Sequence, residues 1–350
     1  MNIALKKSNK SSARGAAPFI AAAMLASMFL LFAGCNQDGP GIFYQISQEK
    51  AQKESKISER FVFQIVETTT DLYALAGRSV FKQVGDDWSN ITGNHYAYDI
   101  VEYSGLLYIN INDDDSKLDD GTLYNYDGSS LSSEVQYNTD VHLFEADGTY
   151  ILVKGIGSVD SVESTVNVTA AGTVEGFTDI VFDGASGTAG DYLISADTLY
   201  EDTFGSLVAA AYPPADKSDD YRGIASDGAD IFLTTSSGQI YSSPDGGTWT
   251  LEDTISAEPV AGSLAVVTIG VTDYLIIGTD EGYYEMNIDA ADPEAVEPTA
   301  TTIPEFEAAY SDLALALIHY VYPSSAADVF YLGTQAGLWR RNSDGTFEKL

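Results

Sequence analysis

The sequence predicts an all-β domain built from repeated antiparallel sheets, and two observations indicate this class. From Phe61 onward, short runs of apolar and aromatic residues alternate with turns rich in Gly, Asp and Ser, with no amphipathic helix between them. One pattern also recurs about every 40 residues: an apolar strand, a turn and a second strand that carries an anchor residue. The anchors are Phe81, Tyr124, Val166, Tyr200, Tyr241, Tyr284 and Trp339. Such a repeat of strands alone is typical of a β-propeller, so residues 61–350 are predicted to form a seven-bladed β-propeller of four-stranded antiparallel blades.

The intervals between the anchors are uneven, and this predicts where the blades differ. Val166 and Tyr200 stand closer together than the other neighbouring anchors, which predicts a short fourth blade. Residues 290–307 contain three Pro and predict an insertion between the sixth and seventh blades. The domain has no cysteine for a disulfide, so its stability must come from the apolar surface that the blades bury against one another.

Residues 1–35 are predicted to be a processing signal and are excluded from the fold. A basic start is followed by an apolar run that ends in "LLFAGC". This ending resembles a bacterial lipobox of a relaxed, spirochaete-like type, with Phe32 at the place where Leu is usual. The resemblance implies a lipid on Cys35, a polar linker over residues 36–60, and a domain held at the bacterial cell envelope, facing the periplasm or the exterior. An uncleaved membrane anchor is the alternative, because the apolar run approaches the length that spans a bilayer.

The net charge restricts the classes of partner. The chain has 17 basic and 52 acidic residues, a formal net charge of −35, and no acidic residue precedes Cys35. Such a surface repels nucleic acid and anionic lipid headgroups, and it attracts cations or basic proteins. We therefore expect membrane contact through the N-terminal lipid and no nucleic-acid partner. Solubility or a saline habitat is an alternative reason for the charge.

One turn carries a recognisable motif. In the stretch "SSPDGGTW", five residues follow the order of a known repeat: Ser243, Asp245, Gly247, Thr248 and Trp249. They resemble the Asp-box (BNR) repeat, Ser-x-Asp-x-Gly-x-Thr-Trp, with one residue missing between the Gly and the Thr. Weaker copies occur at "GDDW" (85–88) and "NSDGTF" (342–347). The resemblance implies a structural turn without catalytic function, in which Asp accepts backbone N–H groups and Trp packs as an apolar plug.

Signatures of catalysis are scarce. The three histidines, His95, His142 and His319, have no metal-ligand spacing, and His319 lies in an apolar strand. Asp-box proteins include sialidases, which need three convergent arginines. The arginines available after Cys35 are Arg60, Arg78, Arg222, Arg340 and Arg341. The sequence does not bring three of them together. A binding or scaffold module with a protein or glycan partner is therefore predicted, and a glycan-acting hydrolase is the alternative, because any pair of the many carboxylates could serve it.

An acidic loop is the one candidate metal site. The turn "NDDDSKLDDG" (112–121) belongs to the second blade and is expected on the face opposite the Asp-box turns. Its carboxylates repel one another unless a cation or water screens them, and oxygen ligands in a flexible loop suit Ca²⁺. The candidate ligands are Asp113, Asp115 and Asp119. A solvated acidic loop is the alternative, and no other cofactor is expected.

Overall fold

Short antiparallel strands joined by turns make up the described part of the chain. The structure is a computed structural model, and it describes residues 57, 60–103, 105–111, 122–136, 219–298, 313 and 315–350. Between residues 142 and 209 it describes the backbone of eight strands and the side chain of Ile194. Residues Glu54–Leu350 belong to one compact unit. Within the described ranges, no helix is both long and apolar enough to cross a membrane.

The strands fall into groups of four. The first three groups are β1 (Val62–Glu67), β2 (Leu72–Ala76), β3 (Ser79–Val84) and β4 (Asp87–Asn90); β5 (Ala97–Tyr103), β6 (Leu106–Ile111), β7 (Thr122–Tyr126) and β8 (Leu131–Gln136); and β9 (His142–Ala146), β10 (Tyr150–Gly155), β11 (Ser158–Glu163) and β12 (Asn167–Gly172).

The other four groups continue the same order. They are β13 (Phe177–Val181), β14 (Asp191–Ser195), β15 (Thr198–Asp202) and β16 (Leu207–Ala209); β17 (Tyr221–Ser226), β18 (Ile231–Thr235), β19 (Gln239–Ser243) and β20 (Thr250–Thr254); β21 (Pro259–Ile269), β22 (Thr272–Thr279), β23 (Tyr283–Asn287) and β24 (Ala295–Val296); and β25 (Ile318–Pro323), β26 (Phe330–Thr334), β27 (Gly337–Arg341) and β28 (Phe347–Lys349).

Each group forms one sheet, and the described strands make seven four-stranded sheets in all. Within a sheet, strands that follow one another in the chain pair antiparallel. The first strand of each sheet contacts the first strand of the next, and β25 contacts β1. The first strands therefore form a closed series at the centre. The predicted all-β class with four-stranded antiparallel sheets is confirmed.

The predicted anchors match the third strands of six sheets, but not that of the third sheet. Val166 lies outside the described residues, between β11 and β12. The third strand of that sheet is β11, whose sequence "SVDSVE" has no aromatic residue, so the anchor pattern could not mark it. The fourth sheet has four strands like the others, and the short interval before Tyr200 reflects the displaced anchor. The predicted insertion, residues 290–307, begins within the described residues around β24 and continues beyond them.

The core lies between neighbouring sheets. In β2, β18 and β26 all five residues are buried, because a neighbouring sheet covers each face. This explains why second strands such as "IFLTT" show no alternation of polar and apolar residues. One buried cluster joins Tyr73 and Leu75 of the first sheet to Ile100 and Ile109 of the second. Apolar burial between sheets therefore replaces the disulfides that the domain lacks.

Two strand glycines allow neighbouring sheets to approach closely. A Cβ on Gly223 would lie 2.7 Å from Cβ of Leu264 in the sixth sheet. A Cβ on Gly333, in β26, would lie 2.7 Å from the carbonyl oxygen of Val62 in β1. Real Cβ atoms do not come this close to other atoms, so both positions require glycine for steric reasons.

The seventh sheet packs directly against the first. A buried cluster brings Val62 and Phe81 of the first sheet against Tyr331 and Leu338 of the seventh. At the other end of the strands, the Glu67 carboxylate accepts hydrogen bonds from the Ser324 hydroxyl at 2.9 Å and the Ser325 N–H at 2.7 Å. Among the described strands, none pairs with a strand of another sheet. Side-chain packing and hydrogen bonds, rather than a shared strand, therefore join the two ends of the chain.

Two residues of the predicted linker contribute to this junction. Ile57 is fully buried in the cluster between the first and seventh sheets. Arg60 is also buried, with its guanidinium 5.0 Å from the ring centre of Phe81. The attraction between the guanidinium and the aromatic face offsets part of the free-energy cost of burying this charge.

Candidate functional site

The ends of the sheets form two faces with different composition. We call the end at which the first strands begin the upper face. It also carries the turns between second and third strands, such as residues 236–238 in the fifth sheet. The opposite end is the lower face, and it carries the turns between first and second and between third and fourth strands, such as residues 244–249.

The residues that resemble an Asp-box form a tight turn on the lower face. Asp245 Oδ1 accepts hydrogen bonds from the N–H groups of Gly247 at 2.9 Å and Thr248 at 2.8 Å. The hydroxyl of Ser243, which is buried, donates to the same oxygen at 3.2 Å. The backbone N–H of Thr248, followed by that of Gly247, lowers the pKa of the Asp245 carboxyl. The left-handed φ of the turn, +64°, occurs at Gly246 rather than at Gly247.

Trp249 closes this turn and covers the space between two sheets. Its indole Nε1–H donates to the Gly246 carbonyl at 3.0 Å. The half-buried ring packs on a buried cluster formed by Ile194 of the fourth sheet and residues of the fifth, including Ile224 and Tyr241. The side chain thus joins the turn to the inter-sheet core, as expected for an apolar plug.

The two weaker copies of the motif place aromatic side chains in the same way. At the seventh sheet, Asp344 Oδ1 accepts the N–H of Thr346 at 3.0 Å, and Phe347 packs on the cluster between the sixth and seventh sheets. At the first sheet, Trp88 packs on the cluster that joins the first and seventh. These turns therefore bond within themselves and hold sheets together, which leaves the upper face as the candidate site.

Five of the first strands carry a β-bulge at the upper face. The register of each shifts after its first paired residue and places one extra residue between two positions of the ladder. The extra residues are Phe63, Tyr98, Thr178, Arg222 and His319. A bulge bends its strand and redirects a side chain, and bulges are frequent beside binding sites. The same irregularity in five sheets brings aromatic, cationic and imidazole groups to one face.

Two of these bulge residues meet where the seventh sheet joins the first. The His319 ring centre lies 5.3 Å from that of Phe63 and 5.6 Å from that of Phe61. The two Phe rings are stacked, with centres 6.2 Å apart, and Phe63 is 41% exposed. Burial lowers the pKa of His319, so the imidazole is neutral at neutral pH. Its Nε2 is buried without a hydrogen-bond partner in the described part of the chain.

Two arginines occupy other parts of the upper face. The exposed guanidinium of Arg78 lies 5.7 Å from the ring centres of both Tyr96 and Tyr98. Arg222 forms an ion pair with Glu258, which precedes the first strand of the next sheet. The upper face therefore combines π surfaces with paired or stacked cations, an arrangement suited to recognition of another molecule.

Four predicted site residues lie outside the described residues: Cys35, Asp113, Asp115 and Asp119. The strands that flank the acidic loop are described. Ile111 pairs with Ala97 at the start of β5, and with Thr122 at the start of β7. The loop therefore joins the upper face beside the bulge at Tyr98. Among the described residues, no three His, Cys, Asp or Glu side chains form a group that could hold a metal ion.

The upper-face residues were not foreseen from the sequence. Phe63 and Tyr98 look like ordinary apolar strand positions, and Arg222 looks like a polar residue in "YRGIAS". Only the pairing register reveals that each is the extra residue of a bulge. All five are the second residue of their strand, a position that is known only once the strand starts are known.

Comparisons with solved structures show the fold. The chain is similar to the WD40 β-propeller domain of Doa1, with 11% identity and a TM-score of 0.54, over 82% of this chain and 93% of that one. It is also similar to YCF48 bound to D1 peptide, with 9% identity and a TM-score of 0.57, over 81% and 94%. The predicted β-propeller is therefore confirmed.

A third likeness is to part of a longer protein. It is the extracellular domain of the putative one component system BT4673 from B. thetaiotaomicron, with 15% identity and a TM-score of 0.59. The match covers 82% of this chain and 39% of that one. No family model matches this chain, and no curated protein sequence matches it either. At these levels of identity the likenesses show the fold alone.

Proposed function

We propose that this chain is a lipid-anchored, seven-bladed β-propeller of the cell envelope that binds a partner protein through its upper face. The observation that carries the proposal is the set of five bulges, which brings Phe63, Arg222 and His319 to one face. The closed contacts of the seven first strands support the blade count. The turn from Ser243 to Trp249 is an Asp-box that fixes a blade edge.

Exposed apolar residues at the upper face support this choice. Leu315 is 73% exposed and lies just before β25, and Phe63, in β1, is 41% exposed. Apolar side chains exposed at the centre of a polar face are typical of protein-interaction sites. Among the similar structures, BT4673 contributes an extracellular domain and YCF48 is bound to a peptide. Binding of a protein segment outside the cytoplasm is the function that fits both of these similar structures.

A matched pair of substitutions tests the proposal. Leu315 on the upper face and Val271 on the lower face are both exposed apolar residues. We expect Leu315→Arg to abolish recovery of a partner from detergent-solubilised envelope proteins, because a long charged side chain blocks docking. Val271→Arg should leave recovery unchanged. The upper face would be excluded as the binding surface if only Val271→Arg abolished recovery of the partner. It would also be excluded if Leu315→Arg left that recovery unchanged.

The positions of the arginines favour binding over sialidase chemistry. A sialidase-like site requires three arginines around one carboxylate. Here each arginine after residue 35 has a different neighbour: Arg60 lies over Phe81, Arg78 over Tyr96 and Tyr98, Arg222 beside Glu258, Arg340 beside Glu348, and Arg341 over Phe330. The glycan-acting hydrolase therefore remains the second candidate, without a site that supports it among the described residues.

The lipid anchor is proposed from the lipobox-like sequence before Cys35. Two or three acyl chains would hold the protein firmly at a membrane, because each buried methylene contributes about 0.8 kcal/mol. We expect Cys35→Ala to leave the protein soluble or as an unprocessed precursor, judged by membrane fractionation and by labelling with a fatty-acid analogue. A variant that fractionates and labels like the parent would contradict lipidation.

Calcium binding by the acidic loop is a separate proposal. It rests on five Asp between residues 112 and 121 and on the connection of this loop to the upper face. Calorimetric titration of Ca²⁺ into the parent and into Asp113→Asn/Asp115→Asn tests it. Heat that appears in the parent and disappears in the variant supports a site, whereas equal heats leave a solvated loop.

A further inference from the structure

We propose that the aromatic patch of Phe61, Phe63 and His319 binds an arginine or lysine side chain of the partner protein. This inference rests on the proposed binding function of the upper face and names the chemistry of one contact. The three rings lie within 6.2 Å of one another, centre to centre, at the junction of the seventh and first sheets. A cation over such π faces is attracted by their quadrupoles.

The charges around the patch favour a cationic occupant. The whole chain has a formal net charge of −35. In the described turns and links of the upper face, carboxylates outnumber guanidinium groups: Asp219, Asp220, Glu258, Asp280, Glu281 and Glu297 stand against Arg78 and the buried Arg60, which lies over Phe81. Arg222 adds a third guanidinium, which is already paired with Glu258. A basic partner is therefore attracted to this face over a long range, and an acidic one is repelled.

The state of His319 is compatible with a cation placed over the patch. Its neutral ring does not repel a cation. Its buried Nε2 lacks a hydrogen-bond partner in the described part of the chain, and such orphaned groups are rare in proteins. Because this nitrogen is enclosed by protein atoms, a partner would contact the ring face of His319 and not Nε2. Phe63 supplies exposed apolar surface for the aliphatic part of the same side chain.

Two short peptides test the contact on the full-length protein. The first is acetylated and amidated Gly-Arg-Leu-Arg-Gly, and the second has citrulline in place of both arginines, which keeps the shape and removes the charge. Fluorescence anisotropy of labelled peptides at low ionic strength gives both affinities. We expect Phe63→Leu to weaken binding of the arginine peptide about two- to five-fold, because it removes the π face, and to leave the citrulline peptide unchanged.

Phe63→Tyr retains a π face and should retain the affinity of the parent, which separates loss of the contact from damage to the fold. Val271→Ala, on the lower face, should bind both peptides as the parent does. The proposal is overturned if Phe63→Leu weakens both peptides equally, weakens neither, or if the parent binds the arginine peptide no better than the citrulline peptide. In each of these cases, recovery of an envelope partner that depends on Leu315 would still support the proposed binding function.

Discussion

Replacing Trp249 with Ala should lower the free energy of unfolding by about 3 kcal/mol. This value is the lower end of the range for large aromatic residues in cores, because the indole is only half-buried. The substitution removes the hydrogen bond from Nε1 to the Gly246 carbonyl and exposes the cluster between the fourth and fifth sheets. Thermal and denaturant unfolding, with both transitions compared for two-state behaviour, measure the effect.

Two variants make this result specific. Trp249→Phe keeps most of the apolar contact and loses the indole hydrogen bond, so it should lose less than half as much stability. Leu251→Ala changes an exposed residue in the adjoining strand and should have little effect. Unfolding of Trp249→Ala that matches the parent would show that the turn does not hold the two sheets together.

Gly333→Ala should lower the free energy of unfolding by about 2 kcal/mol, because the new methyl group overlaps the Val62 carbonyl oxygen. The neighbouring atom belongs to the backbone of β1, so relief requires the first and seventh sheets to move apart. A smaller opposing effect of about 0.4–1 kcal/mol comes from the reduced flexibility of the unfolded chain. Chemical denaturation of the parent and the variant, fitted with the same dependence of the free energy on denaturant concentration, gives the difference in the free energy of unfolding.

Gly247→Ala is the matched control, since its Cβ would lie 3.5 Å from Asp245 Oδ1, which is ordinary contact. We expect this variant to be as stable as the parent or slightly more stable. Equal free energies of unfolding for Gly333→Ala and Gly247→Ala would contradict the close packing of β26 on β1 at the junction of the first and seventh sheets.

The fold could be predicted because each blade repeats the same chemistry. Six of the seven anchors, including Tyr241 and Trp339, are large residues in the third strand of a sheet. The pattern failed at β11, because its alternating Ser, Asp and Val residues form a strand without an aromatic signal. A repeat detected by aromatic residues is therefore interrupted wherever the sequence of a third strand lacks them.

The junction of the ring could not be predicted from composition. It depends on the close approach of Gly333 to Val62 and on the hydrogen bonds from Ser324 and Ser325 to Glu67, residues more than 250 positions apart. Nothing local in the sequence indicates that these groups meet. Ile57 and Arg60 show the same limitation, because a polar linker sequence gives no sign of packing against the first sheet.

The candidate site was also hidden from the sequence, for a different reason. A β-bulge depends on which backbone groups pair, and residues as different as Phe63, Arg222 and His319 occupy the same bulge position. The Asp-box-like turn was visible because its geometry depends on particular side chains, such as Asp245, which accepts hydrogen bonds from nearby N–H groups. Motifs built from side chains can be recognised in one sequence, whereas sites created by register require the structure.

The central claim is that the upper face is the binding surface and the lower face is structural. Hydrogen–deuterium exchange of the full-length protein, measured free and with its recovered envelope partner, tests this most directly. We expect slower exchange in the partner complex at residues 60–64, 95–99, 219–223 and 315–320, with no change at residues 243–249 and 342–347. Protection confined to the two lower-face turns, with the upper-face segments unchanged, would contradict it.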